Sequence, residues 1–278
     1  MKIAIASGKG GTGKTTVAVN LALSAHNAQL LDADVEEPNA NLFLHTNFSE
    51  ERKVTVSVPE INKNRCKYCG ECSKFCAYNA LAVVPNNVLV FADLCHSCKG
   101  CELVCPVDAV GWRNREVGML RRGEKDGVSV VEGDLNLGES QAIPVIKAVK
   151  QEIDPDKTVI IDAPPGTSCP VMEAIEDSDY VLLVTEPTPF GLHDLKLAVE
   201  VVRRMKLPFG VVINCDGVGD KRVELYCQQE EIPVLLKIPH NTRIASLYSD
   251  GQPFVNHMPE LKKDFQGLLN RIKQEVSS

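Results

Sequence analysis

The chain has 278 residues, 44% of them hydrophobic, and a formal net charge of −7. That length holds one large α/β domain, or one such domain with a small insert. The acid balance excludes a nucleic-acid binder that works through a basic surface, and no apolar run reaches the length of a membrane span.

The first residues, MKIAIASGKGG, read as a buried strand (Lys2 to Ala6) running into a glycine loop. They lack the h-region of a signal peptide, so a cytoplasmic protein without membrane association is expected. A helical pattern follows over about Thr15 to His26, and Leu30 and Leu31 lead as a strand into Asp32, Ala33 and Asp34. This βαβ opening predicts a mostly parallel sheet covered by helices on both faces. From about Val54 to Asp126 the alternation stops, giving way to cysteines, short strands and charged turns without a long helix signal. It resumes with VSVVEGDL (128–135), a helical segment IPVIKAVKQEI, and the strand TVIIDAPPG (158–166). YVLLVTEP (180–187), a helix over about 192–205, FGVVINCDG (209–217) and PVLLKIP (233–239) complete the set. Residues 1–53 and 127–278 thus form one α/β domain, interrupted at 54–126 by a small α+β module. Near the end, Phe265, Leu268, Leu269 and Ile272 recur at helical spacing, a stripe expected to face the core rather than a membrane.

Gly8-Lys9-Gly10-Gly11-Thr12-Gly13-Lys14-Thr15-Thr16 fits G-x-x-x-x-G-K-[ST], between a strand and a helix. Glycines let backbone N–H groups approach phosphate oxygens, and the following helix points its positive end at the anion. Lys14 is expected on the β/γ-phosphates of ATP and the Thr15 hydroxyl on Mg²⁺. Asp32 and Asp34 close the second strand, where open α/β sheets bind ligands. Asp162, after the apolar run TVII, is the expected Walker-B carboxylate for Mg²⁺.

Lys9 is an extra lysine in this loop. GKGGTGKT resembles the deviant loop of the MinD/ParA/Mrp ATPases, which include the nitrogenase iron protein. The resemblance spans both parts of the α/β domain and implies an ATP-dependent homodimer in which Lys9 reaches the partner's nucleotide. A cation supplied in trans stabilises charge on the transferring phosphoryl group. It further implies that Asp34 lies beside the attacking water, with Asp32 nearer the Mg²⁺ shell. The loop Ala163-Pro164-Pro165-Gly166 is similar to the second switch of the Mrp branch, with the Gly166 amide offered to the γ-phosphate. Asn214 stands where the family reads the adenine edge, or caps a turn in NCDG. Pro239 is expected to complete the base pocket.

The chain has 11 cysteines, eight of them between Cys66 and Cys105. In a reducing compartment such a group points to metal rather than disulfides. Cys66-x₂-Cys69-x₂-Cys72-x₃-Cys76 repeats as Cys95-x₂-Cys98-x₂-Cys101-x₃-Cys105-Pro106. This is the two-cluster ferredoxin spacing, in which the fourth thiolate of each run ligates the other [4Fe–4S] cluster. The expected sets are Cys66, Cys69, Cys72 and Cys105, and Cys76, Cys95, Cys98 and Cys101. Zinc is the rival metal, since C-x₂-C pairs also bind it. Ala77 departs from the pattern, which usually has proline there. Tyr68, Phe75, Tyr78, Leu81, Val107 and Val110 are expected to pack round the clusters. Cys169 lies seven residues beyond Asp162. The nitrogenase iron protein carries a cluster ligand at the matching offset, but it needs a second cysteine per subunit that is not placed here, so a small, semi-buried residue before Pro170 is the expected reading.

Three functions follow. The first is an ATPase that couples nucleotide state to electron transfer with a redox protein partner. The second is an iron–sulfur carrier of the Mrp type, against which stand the complete four-thiol sets and the missing C-terminal CxxC. The third is a MinD-like positioning ATPase, which would need a basic amphipathic tail.

Overall fold

The computed structural model describes residues 1–277. Its first strand, β1 (Lys2–Ala6), leads through the glycine loop into α1 (Lys14–Ser24), then β2 (Ala28–Asp32) and a short α2 (Ala40–Leu44). The helix starts one residue earlier and ends two earlier than its pattern suggests, because the backbone turns extended at Ala25. Two long strands follow, β3 (Asn47–Ile61) and, after the cysteine-rich stretch, β6 (Val110–Lys125). Between them lie α3 (Glu71–Phe75), the hairpin β4 (Leu81–Val84) and β5 (Asn87–Val90), and α4 (Gly100–Leu103). The chain then returns to α/β alternation: β7 (Val128–Leu135), α5 (Ile143–Lys150), β8 (Thr158–Asp162) and α6 (Cys169–Ile175). After these come β9 (Tyr180–Thr185), α7 (Pro189–Arg204), β10 (Phe209–Asp216) and α8 (Arg222–Gln229). The last elements are β11 (Val234–Pro239), α9 (Thr242–Ser249) and α10 (Pro259–Val276).

Nine strands form one sheet in the order β11-β10-β9-β1-β8-β2-β7-β6-β3. The strands from β11 to β7 are parallel; β6 and β3 join antiparallel. Parallel strands must be covered on both faces, which is why their sequences are continuous apolar runs. In β1, Ile3 and Ile5 belong to a core with α1 and α10, whereas Ala4 and Ala6 face a second core with α5, α6 and α7. The C-terminal stripe faces inward: Leu261, Phe265, Leu268, Leu269 and Ile272 are all buried in the first of these cores. No helix among the described residues is long and apolar enough to cross a membrane.

The boundary expected at 54 falls inside β3, and the one expected at 126 falls in the turn between β6 and β7. β3 pairs with β6 from Asn47↔Glu124 to Ile61↔Val110, and the lower half of β6 also pairs with β7. The cysteine-rich stretch therefore sits at the far end of a two-stranded arm continuous with the main sheet. Its helices are four and five residues long, matching the absence of a long helix signal.

Candidate functional site

The glycine loop leaves β1 at the centre of the sheet, between β8 and β9. On neighbouring strands Asp32 ends β2, Asp162 ends β8, and the two are register partners. Three sequence-predicted elements thus meet at one carboxyl edge, the crevice where such sheets bind ligands. The loop is tightly held. A Cβ on Gly8 would lie 2.1 Å from the Asp194 carbonyl oxygen of α7. Gly13 has φ +92°, and a Cβ there would come within 2.4 Å of Asn214 Nδ2. The Ser7 hydroxyl donates to the Lys9 carbonyl (2.6 Å).

Lys14 is buried and ion-paired to Asp34 at 3.8 Å. Neither Asp162 oxygen has a hydrogen-bond partner among the described residues, although its side chain is fully buried. Orphaned buried carboxylate oxygens call for a cation. Burial pushes Asp162 up to about 6, against the lowering influence of Lys14 and the nearby Thr15 hydroxyl. Burial also raises Asp34 to about 7, opposed by Lys14 and reinforced by Asp162. Asp32 is raised well above the usual carboxylate range, by burial first and by Asp162 next; its oxygens accept from the Asp34 and Ala40 amides. The Thr12 hydroxyl is also buried without a partner among the described residues. A hard divalent cation that keeps its waters and binds one or two carboxylates suits this donor set. The unpartnered Thr12 hydroxyl suits a phosphate oxygen.

Two sequence-predicted residues occupy different contacts from those expected. The Gly166 amide donates to the Ser7 carbonyl (2.9 Å), so in this state it is not free for a phosphate. The Asn214 amide donates to the Thr12 carbonyl (2.9 Å) and braces the loop from β10. Pro239 is Asp216's register partner and lies exposed at the same sheet edge. Lys9 is half-buried and makes no salt bridge among the described residues. Cys169 is exposed at the start of α6, not semi-buried.

At the far end of the β3–β6 arm, the eight cysteines line two cavities. One is bounded by Cys66, Cys69, Cys72 and Cys105 together with Tyr68, Val107 and Val110. The other is bounded by Cys76, Cys95, Cys98 and Cys101 with Phe75, Tyr78 and Leu81. Each cavity takes three cysteines from one run and the last from the other. The backbone repeats with the sequence: Tyr68 and Ser97, Gly70 and Lys99, and Asn79 and Asp108 all have positive φ. These turns aim amides inward. Cys66 Sγ accepts from the Tyr68 amide (3.4 Å), Cys76 Sγ from Ala80 (3.3 Å) and Cys105 Sγ from Ala109 (3.2 Å). Burial raises the Cys72 thiol and pushes Cys101 up to about 11. Tyr78 and His96 stack at 3.7 Å beside the second cavity.

Among the described residues, no three or more His, Cys, Asp or Glu side chains converge closely enough to hold a single metal ion. The thiols surround spaces instead. Phe75 and Tyr78 line the second cavity with one side and remain about half exposed with the other, at 53% and 47%.

Sequence reasoning missed the contacts that fasten this stretch to the body. The Ser97 hydroxyl donates to the Ser57 carbonyl of β3 (2.7 Å). In the loop after β7, the Gln141 side-chain amide donates to the carbonyls of Asp93 (3.3 Å) and Cys95 (3.0 Å). Arg115 of β6 pairs with Glu139 and reaches Asp93 at 3.4 Å. No local pattern marks these residues, since their partners are brought close only by the fold.

The family model described as the CobQ/CobB/MinD/ParA nucleotide binding domain matches residues 3–254. An uncharacterised protein of Methanocaldococcus jannaschii, MJ0579, is 30% identical over 98% of this chain and 97% of its own. An iron–sulfur cluster carrier protein of Pyrococcus horikoshii is 26% identical over 98% of this chain and 87% of its own. Among solved structures, the Pyrococcus furiosus cell division ATPase MinD superposes with a TM-score of 0.61 at 21% identity, covering 98% of each chain. That last likeness concerns the fold alone.

Proposed function

Because the chain belongs to the CobQ/CobB/MinD/ParA nucleotide-binding family, we propose that it is an ATPase of the iron–sulfur carrier type that holds two [4Fe–4S] clusters on its eight grouped thiols. The iron–sulfur carrier relatives favour this reading over the electron-transfer switch that the sequence suggests first. The observation that carries it is the presence, in one chain, of a phosphate loop flanked by Asp32 and Asp162 and of two cavities each lined by four thiols. Rings of thiols around an open space suit a cube better than a lone zinc, and N–H···S contacts stabilise thiolate charge.

In this reading Lys14 leaves Asp34 for the β/γ-phosphates of ATP. Thr15 and Asp162 face Mg²⁺, with Asp32 behind them, and Asp34 orients the attacking water. Gly8 to Thr16 cradle the phosphates, and Asn214 and Pro239 border the base. Gly166 exchanges the Ser7 carbonyl for the γ-phosphate, which gives the loop two positions. Lys9 completes the partner's site in a homodimer. Residues 54–126 act as an inserted ferredoxin-like module. When bound, the clusters supply either transferable iron and sulfide or one-electron chemistry.

The electron-transfer reading keeps one specific support: each cavity already has four thiols, which leaves no open position for handing a cluster on. Anaerobic purification tests both. The chain should contain about eight irons, and Cys98→Ala about half as many. Zinc, or no metal, would overturn both readings. An apo-ferredoxin acceptor should gain a cluster spectrum in proportion to MgATP turnover. If the clusters stay in place and only their potential follows MgATP, the carrier reading fails and the electron-transfer reading stands.

A further inference from the structure

The two thiol-lined cavities are not equivalent with respect to the nucleotide site. Cys95, together with Ala80, is part of the large core that holds Val35, Val131 and Ala142 of the main body. Cys66 and Cys72 pack instead against a small separate cluster of Leu81, Val88 and Cys101, whose Leu81 and Cys101 also line the other cavity. One cavity is thus proximal to the body and the other distal.

A short run of contacts joins the proximal cavity to Asp34. Val35 follows Asp34, and its carbonyl accepts from the Leu135 amide at the end of β7 (2.8 Å). The turn after Leu135 is tied to β6 by the Asn136 amide on the Val117 carbonyl (3.0 Å). It closes on itself through the Glu139 amide and the Asn136 carbonyl (2.9 Å). The Glu139 carboxylate is nearly buried and accepts from the Ser140 and Gln141 amides (3.0 Å each) as well as from Arg115. Burial alone would raise this carboxyl, but Arg115 and those amides together hold it below its ordinary value. Gln141 then grips the Asp93 and Cys95 carbonyls. Arg115 also faces Asp93, while its Nε and Nη2 are buried without partners among the described residues. A buried guanidinium with spare donors has a second arrangement available at low cost, since it gains bonds by moving.

We infer that the Arg115–Glu139–Gln141 clasp couples the Asp34 segment to the loop carrying Cys95, so that nucleotide binding alters the proximal thiol set and leaves the distal set unchanged. ATP takes Lys14 away from Asp34, which frees the Asp34–Val35 segment to shift. The Leu135 bond passes that shift to the turn holding Glu139 and Gln141, and Gln141 passes it to the Cys95 carbonyl. Among the described residues, the hydrogen bonds at Cys66 are local, from its own amide to the Asn62 carbonyl and from the Tyr68 amide to its sulfur, and no main-body side chain bonds to Cys66 or Cys69. Gln141 and Arg115 are positioning residues here: they touch neither nucleotide nor metal. The consequence for clusters rests on the function proposed above, whereas the coupling itself concerns only the polypeptide.

Hydrogen exchange on the full chain, as isolated and without added iron, tests the coupling. A non-hydrolysable ATP analogue with Mg²⁺ should change exchange in 92–98 by about threefold relative to ADP, with 66–72 unchanged. Gln141→Ala, and separately Glu139→Gln, should abolish that response while calorimetry shows unaltered analogue binding. An equal response in both loops, none in the wild type, or the full response in both variants would overturn the coupling. Should one variant fail to fold, the other decides. In the anaerobically purified chain, one of two cluster signals should move with the nucleotide. Exchange that responds in a chain that never takes up iron would keep the clasp and remove the clusters. Iron-loaded protein with a nucleotide-indifferent 92–98 loop would do the reverse.

Discussion

In the proposed function, two lysines in one loop divide the work of the nucleotide site. Lys14 is buried against Asp34, while Lys9 has no ion-pair partner among the described residues and is available to a second subunit. Lys9→Ala should lower ATP turnover about 10³-fold, the scale of a cation supplied in trans, and abolish ATP-induced dimerisation in sedimentation. Unchanged turnover and sedimentation would remove the shared-site model. The carboxylates make a second prediction. Asp34 and Asp162 sit at about 7 and about 6, above an ordinary 3.8. A carboxyl raised in the folded state binds more protons there than in the unfolded chain, so it costs stability as pH rises from about 4 through about 7. The nucleotide-free Asp34→Asn variant should therefore match the wild type in Tm near pH 4 and melt progressively higher than it towards pH 8. A gap that stays constant with pH would contradict this. At this scale the glycine loop and the three close-spaced cysteines of each run are read from local spacing, whereas the crossing of Cys105 and Cys76 to the other run is read from the two-cluster pattern as a whole. The Asn214 brace and the Gln141 grip were not legible, because each joins residues far apart in the chain.

Elements carry the next level. Along the α/β body the strands and helices α1, α5 and α7 were legible in its apolar runs, α2, α6, α8 and α9 were not, and α10 turned its Phe265–Ile272 stripe to the core as helical spacing suggests. Phe265 is fully buried and meets Phe254 edge-on at 5.7 Å. Phe265→Ala should cost about 3–5 kcal/mol, read in urea unfolding. A membrane-seeking tail would instead lose vesicle binding and little stability. The arm was harder to read. β3 runs exposed over 49–53 before burying Val54, Val56 and Val58, β6 buries only Val117, Gly118 and Leu120, and their charged stretches resemble surface turns until pairing gives them a register. Hence the module boundary expected at 54 fell inside a strand. Asn214→Ala should loosen the phosphate loop rather than only the base pocket. Its loss of the bond to Thr12 is worth about 1 kcal/mol and should weaken ADP and ATP alike by several-fold in calorimetry. Discrimination against guanine nucleotides without that general loss would return Asn214 to a purely base-reading role.

The whole molecule is a central parallel sheet with an antiparallel extension at one edge. Chemistry at the carboxyl ends of β1, β2 and β8 and sulfur at the tip of β3 and β6 lie on one continuous hydrogen-bonded framework. The tip's own apolar cluster is small, so its order rests on the arm, on Ala80 and Cys95 in the body's core and, in the proposed function, on bound clusters. Chelation of iron should therefore expose 66–105 to protease while the α/β body resists, an outcome readable by limited digestion. Ile61 and Val110 face each other across the last rung of the arm. The polypeptide thus enters and leaves the sulfur-bearing lobe through a single doorway one strand-spacing wide. Such a doorway can be sealed: an Asn-Gly turn joining those two rungs would convert the arm to a plain hairpin. Excision there would also strip Ala80 and Cys95 from the body's core and deprive Gln141 and Arg115 of their partners Cys95 and Asp93, so the body would need new side chains to cover the gap.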